Sequence, residues 1–410
     1  MKKIAIAMSG GVDSGVAAAL LVKKGYQCTG FHLRLWSETI KDKRFENKCC
    51  STESLETARK TAHQLGIPFQ VIDFSKIFKK QVVDYFLEAY GSGLTPNPCI
   101  FCNKFIKFGE LLSYVRKLGF DYLATGHYAK IVRETRAPLF SETRAERRGD
   151  SKLNTLSLSD PPIRKMGGDS DLFLTADQYS SKRVPSFLFH LLMAKDKLKD
   201  QSYFLYNLNQ RQLAHILFPV GNYQKKEVVV MAKKWRLPVA HRPESQEICF
   251  LPENDYRPFL KRQIPQKIIP GEVVDKGRGV IGKHQGLPLY TIGQRHGFEV
   301  DRQNQTPILP PYYVIGKNIK KNQLIVGFGR EAEKKEFEVK QASWINPLTQ
   351  NFLKCQVRIR HQGSLLMARV EKQKTKLRVI LDEPERGIAP GQAAIFYHGE
   401  EVLGGGIILI

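Results

Sequence analysis

The chain has 410 residues, of which 42% are hydrophobic, so we expect two or three domains, each with a full core. Lysine and arginine number 64 against 40 acidic residues, a net charge of +24. This excess predicts a large polyanion as partner, unless it serves only solubility. Seven cysteines and the lack of any apolar run near ~20 residues argue against a disulfide framework, a signal peptide and a membrane span, so we expect a cytoplasmic protein with reduced thiols.

The N-terminal stretch predicts a strand, a tight turn and a helix. Residues 4–7 form an apolar run typical of a buried parallel strand, and residues 16–22 predict a helix that ends at Gly25. The turn between them reads Met-Ser-Gly-Gly-Val-Asp-Ser. Two glycines admit an anion close to the backbone, and serine hydroxyls and helix-opening amides donate to it, so a phosphate is the expected ligand.

The turn differs from two common phosphate loops. It lacks the Lys-Ser/Thr pair of a Walker A loop and the third glycine of a dinucleotide fingerprint. A turn without function is the alternative. Asp13 would lie beside bound phosphates, where a carboxylate can support Mg²⁺ and so offset charge on a leaving pyrophosphate.

Strands and helices then alternate, which predicts an α/β domain with a parallel sheet. Strands are expected at 28–35, 69–72 and 122–125, helices at 52–65, 76–90 and 104–117, and a loop over the site at 36–48. Ligands of such sheets bind at the carboxyl ends of the strands. Leu33 and Gly126 lie at strand ends and are candidate walls for a nucleotide base and ribose.

The remainder predicts one insertion and two β domains. Residues 133–182 are polar, basic and aperiodic, which is typical of a mobile insertion whose charges either touch nucleic acid or are simply solvated. Helices are expected near 209–217 and 225–235. We assign 1–262 to the catalytic domain, 263–335 to a small central β domain, including a strand at 289–292, and 336–410 to a C-terminal β-barrel.

Cys99 and Cys102 are three residues apart, at a turn that leads into the predicted helix at 104–117. A helix N-terminus and Lys104 both favour the thiolate, so a nucleophile is expected here. A zinc half-site, a redox pair and two structural cysteines are the alternatives. The adjacent Cys49 and Cys50 are poorly suited to complete a tetrahedral zinc site.

Other candidates are less specific taken alone. Cys249 has apolar neighbours and would usually be a core cysteine, as we expect for Cys28 and Cys355. His127 follows a strand end, where its side chain can face the ligand crevice or serve the structure.

Together these stretches resemble the tRNA-specific 2-thiouridylase family. SGGVDS, TPNPCIFCNKFIKFG, ATGHY, KDQSYFLY, LFPVG, a late ICF, TIGQRHG and APGQAAIFYHGEEVLGGGII occur in the family's order, essentially end to end, except for the insertion after His127. The resemblance implies a PP-loop catalytic domain, a small central domain, a C-terminal β-barrel and ATP-dependent thiolation of the wobble uridine of certain tRNAs.

The resemblance also implies roles for individual residues. Cys102 matches the catalytic nucleophile, and Cys249 matches the cysteine that carries a persulfide. The ATP positions correspond to Ala7, Met8, Ser9, Gly10, Gly11, Val12, Asp13, Ser14, Leu33 and Gly126, and the target-base positions to Asn97, Pro98 and Cys99. The tRNA contacts correspond to His127, Lys199, Asp200, Gln201, Arg360, His361 and Gln392.

One departure concerns Cys99, where some members of the family carry aspartate. If an acid-base role is essential at this position, the Cys99 thiol or another group must supply it. The expected partners are ATP with Mg²⁺ near Asp13, tRNA, and a sulfur donor protein such as a cysteine desulfurase or a sulfur-relay carrier. No structural metal site is expected.

Two other functions fit parts of the sequence. A PP-loop ligase would adenylate a small carboxylate, and it would need neither paired thiols nor the basic excess. An RNA-binding module could use ATP merely as a ligand. Measuring ATP cleavage with and without tRNA separates these functions from thiolation.

Overall fold

The computed structural model describes residues 1–40, 43–44, 51–135, 153–155, 187–242, 248–251, 253, 255–301, 310–347 and 352–409. Five parallel strands form the N-terminal sheet, in the order Ile216–Leu217, Tyr122–Ala124, Lys3–Ala7, Gln27–Arg34 and Phe69–Asp73. The first strand is central, and the chain continues to one side of it before returning to the other. The sheet therefore reverses its strand order at Ala7, which is where open α/β sheets bind ligands.

Helices connect and accompany the strands of this sheet. The helices are Val12–Lys23, Thr52–Gln64, Ser75–Phe78, Lys79–Val83, Asp84–Gly91, Pro98–Phe101, Cys102–Leu111, Leu112–Lys117, Gln210–Leu213, Lys225–Lys234 and Tyr256–Gln263. Short 3₁₀ turns occur at Ser202–Leu205, Pro238–His241, Pro265–Lys267, Leu287–Leu289 and Gly329–Ala332. Cys102–Leu111 makes the wider turns of a π-helix, as does Lys79–Val83.

The central domain is a five-stranded sheet. Its strands follow the order Glu299–Val300, Val280–His284, Gly271–Val274, Gln323–Phe328 and Tyr312–Asn318. The strand predicted at 289–292 is wrong, because Leu287–Leu289 forms a 3₁₀ turn. Tyr290 is 2% exposed and its hydroxyl donates to Gly297 O at 2.8 Å, so the apolar run belongs to a buried turn.

Six strands close the C-terminal barrel, in the order Glu333–Trp344, Leu377–Arg386, Leu366–Lys372, Phe352–Arg358, Ala393–His398 and Glu401–Leu409. Pairing of the last strand with the first closes it. The predicted architecture of a parallel-sheet domain, a small central β domain and a barrel is confirmed.

The barrel also receives strands from the N-terminal domain. Phe187–Met193 pairs with Ala129–Thr135 and with the barrel strand Glu401–Leu409, and Leu153–Thr155 pairs with Ala129–Thr135. Residues 133–135, the first of the predicted insertion, therefore belong to a strand. Residues 153–155 are also described. The rest of the predicted mobile insertion, residues 136–152 and 156–182, lies outside the described residues.

Shared cores join the domains. One buried cluster combines Phe31 and Tyr203 of the N-terminal domain with Ile395 and Tyr397 of the barrel. A second cluster combines helical residues of the N-terminal domain, such as Phe86, with the central sheet. Each smaller domain therefore shares a hydrophobic core with the N-terminal domain.

Candidate active site and junction pocket

The stretch Met8–Ser14 follows the strand Lys3–Ala7 and enters the helix Val12–Lys23, as predicted, and it lies at the strand-order reversal. The amide of Met8 donates to Phe31 O at 2.8 Å, which ties the turn to the neighbouring strand. Gly10 has a φ of +76°, and a Cβ there would collide with Ser54 O. Glycine is therefore required at this point by both conformation and space.

Polar groups of the turn converge around the start of helix Val12–Lys23. The Ser14 hydroxyl donates to Gly11 O at 3.0 Å, accepts from the Ser9 amide at 3.2 Å and lies 3.3 Å from the Ser9 hydroxyl. Among the described side chains, none caps this helix. Its first amides can therefore donate to an anion, and the positive end of the helix dipole favours one.

Asp13 lies in the first turn of this helix and is held by two side chains. Lys225 Nζ lies 2.7 and 2.8 Å from the two carboxylate oxygens, and the Tyr128 hydroxyl donates to Oδ1 at 2.8 Å. The Lys225 side chain is 17% exposed and that of Asp13 30% exposed. A carboxylate beside an anion site suits Mg²⁺, and a bound metal would have to compete with Lys225 for it.

The other predicted ATP positions surround this turn. Gly126 packs against it, since a Cβ there would lie 2.7 Å from Ser14 N. Leu33 is partly buried near the carboxyl end of the neighbouring strand. The structure therefore brings Gly126 and Leu33 to the edge of the sheet where the turn lies.

The helix that carries Cys102 begins earlier than predicted. It starts at Pro98 and not at Lys104, because Asn97 caps it, accepting from the Ile100 amide at 3.4 Å, and proline suits the first helical position. Cys99 and Cys102 therefore lie within the helix. Cys99 is half-buried and Cys102 is 8% exposed.

Cys249 follows the undescribed residues 243–247 and packs on the same hydrophobic cluster that contains Cys102. Two cysteines far apart in sequence are thus brought to one region. Cys28 and Cys355 lie elsewhere, in strands, and burial raises the pKa of their thiols to about 11 and about 12. These two thiols are poor nucleophiles at neutral pH.

His127 is buried beside the helix that carries Cys102. Its ring lies 2.7 Å from the Thr125 hydroxyl through Nδ1 and 3.3 Å from Lys107 Nζ through Nε2. Burial and the Lys107 charge hold the pKa of His127 well below its usual value. This lowered pKa favours the neutral imidazole at pH 7, and Lys107 lies against its Nε2 atom.

Lys199, Asp200 and Gln201 are predicted tRNA contacts, and one of them, Asp200, joins the N-terminal domain to the barrel. Asp200 is 2% exposed; it accepts from the Ala194 amide at 3.0 Å, from the Ser202 hydroxyl at 2.8 Å and from Arg358 of the barrel at 3.3 Å. Gln201 exchanges hydrogen bonds with the Tyr128 backbone. The Asp200 carboxylate faces the barrel, while Lys199 is partly exposed.

Three other predicted tRNA-contacting residues and one predicted target-base residue line one cavity of about 510 Å³, which we call the junction pocket. They are Asn97, Arg360, His361 and Gln392. The rest of its lining consists of Thr291, Ile292, Gly293, Tyr313, Arg386, Gly387 and Ala389. All three domains contribute to it, and its volume is within the range of small-molecule and nucleotide sites.

Several residues of these sites are not among those predicted from the sequence. Lys225 and Lys107 carry no local motif, and their roles depend on chain segments that meet only in the fold. Tyr128 follows His127 directly, so its position after a strand end was an available signal. Tyr313 and Arg386 lie in ordinary strand patterns.

Two observations concern metals and membranes. Across the described ranges, no three His, Cys, Asp or Glu side chains gather as they would around a metal ion. Every helix in the described part of the chain is too short or too polar to cross a bilayer.

Known families match almost the whole chain. The family described as tRNA methyl transferase HUP domain matches residues 2–159 and 164–253. The tRNA methyl transferase PRC-barrel domain matches 257–328, and the aminomethyltransferase beta-barrel domain matches 334–408.

Curated relatives align from end to end. The tRNA-specific 2-thiouridylase MnmA of Chloroflexus aurantiacus is 39% identical over 411 residues, covering 100% of this chain and 98% of the relative. Those of Roseiflexus sp. (40%; 100% and 99% covered) and Carboxydothermus hydrogenoformans (39%; 99% and 97% covered) are similar to the same degree. The chain therefore belongs to the tRNA-specific 2-thiouridylase family.

Proposed function

We propose that this protein thiolates the wobble uridine of specific tRNAs at C2, with ATP as the activating substrate. The observation that carries the proposal is that Cys102 and Cys249 pack on one cluster, in the domain whose anion-binding turn contains Asp13. Sulfur transfer between two thiols requires that they meet, and activation of an inert carbonyl requires a nucleotide site nearby. Family membership supports both requirements.

The first step would take place at the turn. The uridine O2 attacks the α-phosphorus of ATP, a P–O bond breaks, and pyrophosphate leaves, so that AMP becomes a leaving group at C2. The helix amides, Ser9 and Ser14 would hold the phosphates. Mg²⁺, when bound near Asp13, would offset the negative charge on the departing pyrophosphate.

Lys225 supports this assignment through its pairing with Asp13. If Asp13 held a metal ion, the Lys225 ammonium, which contacts the Asp13 carboxylate, could instead donate to phosphate oxygens of the nucleotide.

The second step would use the thiols. A sulfur donor protein would leave a persulfide on Cys249. Cys102 either attacks the inner sulfur first, releasing sulfide that then displaces AMP from C2, or attacks it after the outer sulfur has bonded to C2 and displaced AMP. In both routes the persulfide S–S bond breaks, a Cys102–Cys249 disulfide forms, and an external thiol reduces that disulfide before the next turnover.

Mass spectrometry of tRNA nucleosides, after incubation with ATP, Mg²⁺ and a ³⁵S persulfide donor, tests the proposal. We expect Cys249→Ser to take up no label and to form no 2-thiouridine. Cys102→Ser should load label on Cys249 and then stop. Cys355→Ser is the control, because its buried thiol has a raised pKa and should affect stability alone. Normal thiolation by both active-site variants would exclude the relay.

A further inference from the structure

The Cys249 segment, residues 248–251 and 253, has an apolar anchor beside the cysteine. Phe250, the next residue, is buried. Its ring packs edge-on against Phe86, with centroids 5.3 Å apart, and against Phe259, with centroids 5.8 Å apart. Phe259 belongs to the helix Tyr256–Gln263, which follows the segment. The start of the segment is therefore fixed in the hydrophobic cluster that also contains Cys102.

Glu253, four residues after Cys249, gives the segment an ionic anchor at its other end. Its two oxygens accept hydrogen bonds from the Arg262 guanidinium at 2.7 and 3.0 Å. These hydrogen bonds lower the pKa of Glu253, so its carboxylate is charged at neutral pH. Because Arg262 lies in the helix Tyr256–Gln263, the far end of the segment is tied to that helix.

Arg262 also holds a second carboxylate, that of Glu38. Glu38 is 3% exposed and accepts from Arg262 at 2.9 and 3.2 Å and from Gln263 Nε2 at 2.7 Å. A buried carboxylate requires such partners, because it has lost its contacts with water. A planar guanidinium can bridge two carboxylates since its donors point in fixed directions. Arg262 therefore joins the exposed Glu253 to a buried, firmly held group.

The residues around Glu38 belong to the wall of the site. Glu38 lies in the stretch that follows the strand of Leu33, one of the predicted ATP positions. In this stretch Trp36 packs on Phe259, with ring centroids 6.3 Å apart. Leu33 and Trp36 contact the same hydrophobic cluster as Cys249. The ion pairs of Arg262 thus connect the Cys249 segment to a part of the fold that is already fixed next to the nucleotide side of the site.

We propose that Glu253 is a positioning residue for sulfur transfer: through Arg262 it holds the Cys249 segment where Cys102 can reach the persulfide. The proposal rests on the proposed function, because it takes Cys249 to carry the sulfur. Attack on the inner sulfur requires close approach and alignment of the reacting atoms. With Glu253 released, Phe250 would still anchor one end of the segment, but the other end would be free to move away from this alignment.

Glu253→Ala tests the proposal because it releases the segment without unpairing the buried Glu38. The Glu253 side chain is 39% exposed, so the variant should fold. Protein first loaded with persulfide by a donor is mixed with excess ATP, Mg²⁺ and RNA, and 2-thiouridine is measured over a single turnover. We expect the rate to be at least about tenfold lower than that of the wild type. RNA Kd and ATP binding should not change.

Free sulfide distinguishes positioning from a general structural role. Sulfide in solution can displace AMP from C2 without a persulfide on Cys249. With sulfide as the sulfur source, Glu253→Ala should therefore thiolate RNA at the wild-type rate. Equal losses with both sulfur sources would overturn the proposal, as would normal thiolation by persulfide-loaded Glu253→Ala.

A second measurement needs neither ATP nor RNA. Diamide oxidises two neighbouring thiols to a disulfide and is itself reduced to the hydrazine, so the rate of Cys102–Cys249 cross-linking, followed by peptide mass spectrometry, reports how often these thiols meet. We expect Glu253→Ala to slow this reaction, and an unchanged rate would overturn the proposal. If the wild-type protein thiolates no RNA, the proposed function fails, and the cross-linking rate alone decides whether Glu253 positions Cys249.

Two further variants test the route through Arg262. In Arg262→Lys the charge remains, but a compact ammonium lacks the planar fork that spans two carboxylates. It should stay with the buried Glu38 and repeat the loss, and adding Glu253→Ala should then cause no further loss. Additive losses would overturn the proposal, because Glu253 would act without Arg262. Glu336→Ala is the matched control, since Glu336 pairs with Arg378 at 2.7 Å on an exposed face of the barrel, and it should behave as wild type.

Discussion

The Met8–Ser14 turn and the junction pocket are built in opposite ways. Consecutive residues on one strand–helix connection form the turn, and an ion pair from Lys225 to Asp13 completes it. The pocket takes its lining from three domains and keeps its shape through backbone contacts such as that between Gly293 and Gly387. The first therefore depends on the chemistry of individual side chains, and the second on how domains pack.

This difference implies that the two sites can be damaged separately. Loss of a charge in the turn should impair the reaction of ATP and leave RNA binding intact. Loss of close packing at the pocket should weaken RNA binding and leave nucleotide binding intact. A variant that breaks one of these sites should therefore be measured for both ATP-dependent thiolation and RNA binding.

The largest effect is expected for Asp13→Asn. The amide cannot support a divalent cation as a carboxylate does, so thiolation should fall by at least about 100-fold, the size of effect reached when one preorganised charge-stabilising group is removed. RNA affinity, measured by filter binding, should remain within about twofold because the polyanion surface is unchanged.

Asp84→Asn is the matched control, since Asp84 also pairs with a lysine, Lys79 at 2.7 Å, but on an exposed helix. It should thiolate normally. Because Asp13→Asn leaves the largely buried Lys225 without its carboxylate partner, thermal unfolding must be recorded as well. Thiolation at the wild-type rate in Asp13→Asn would refute the role of the turn.

A smaller effect, on the other site, is expected for Gly293→Ala. The added methyl group would meet Gly387 Cα at 2.8 Å and force a residue with φ of +89° into strain. The central domain and the barrel should move apart, and RNA binding should weaken by about tenfold through loss of preorganisation. ATP binding, measured by calorimetry, should be unchanged.

Gly119→Ala separates the effect of backbone strain from the effect of a steric clash with another domain. Gly119 has a similar φ of +83°, but a Cβ there would meet nothing within 4 Å. Its alanine variant should lose stability, by about 1 kcal/mol, without any change in RNA affinity. Equal losses of RNA affinity in both variants would show that packing at the pocket has no special role.

The same contrast explains what could be predicted from sequence. The turn is contiguous, so its strand, its glycines and Asp13 were all visible in one short stretch. The helix of Cys102 starts earlier than the pattern at 104–117 predicts, because Asn97 and Pro98, which the sequence assigns to a turn, cap and begin the helix. Local sequence signals therefore predicted this helix but placed its first residue too late.

The pocket was predictable only in part. Family resemblance singled out Arg360 and His361, but no pattern in the chain places Tyr313 beside Arg386. That contact depends on the packing of two β domains. The hairpin of Ala129–Thr135 and Phe187–Met193 was missed for a related reason, since it is completed by the remote barrel strand Glu401–Leu409.

The smallest expected effect concerns this hairpin, where His190 lies between two carboxylates. Its ring is 2.6 Å from Glu401 Oε1 through Nδ1 and 3.2 Å from Glu134 Oε2 through Nε2. The hydrogen bond to Glu401 raises the pKa of His190 above its ordinary value of 6.5, with further contributions from the charge of Glu401 and from Glu134. The folded state therefore binds this proton more tightly than the unfolded state does.

The stabilisation by protonated His190 should be complete below pH 6.5 and should be lost as the pH rises through the raised pKa. We expect about 1 kcal/mol or less, because the cluster is only partly buried, and hence a Tm change below about 4 °C. His190→Gln keeps one hydrogen bond but cannot titrate, so the difference in Tm between wild type and variant should shrink across this interval. A difference that stays constant from pH 6 to about pH 9 would show that the imidazolium does not tie the hairpin to the barrel. Thiolation should be unaffected in either case, because His190 belongs to neither site.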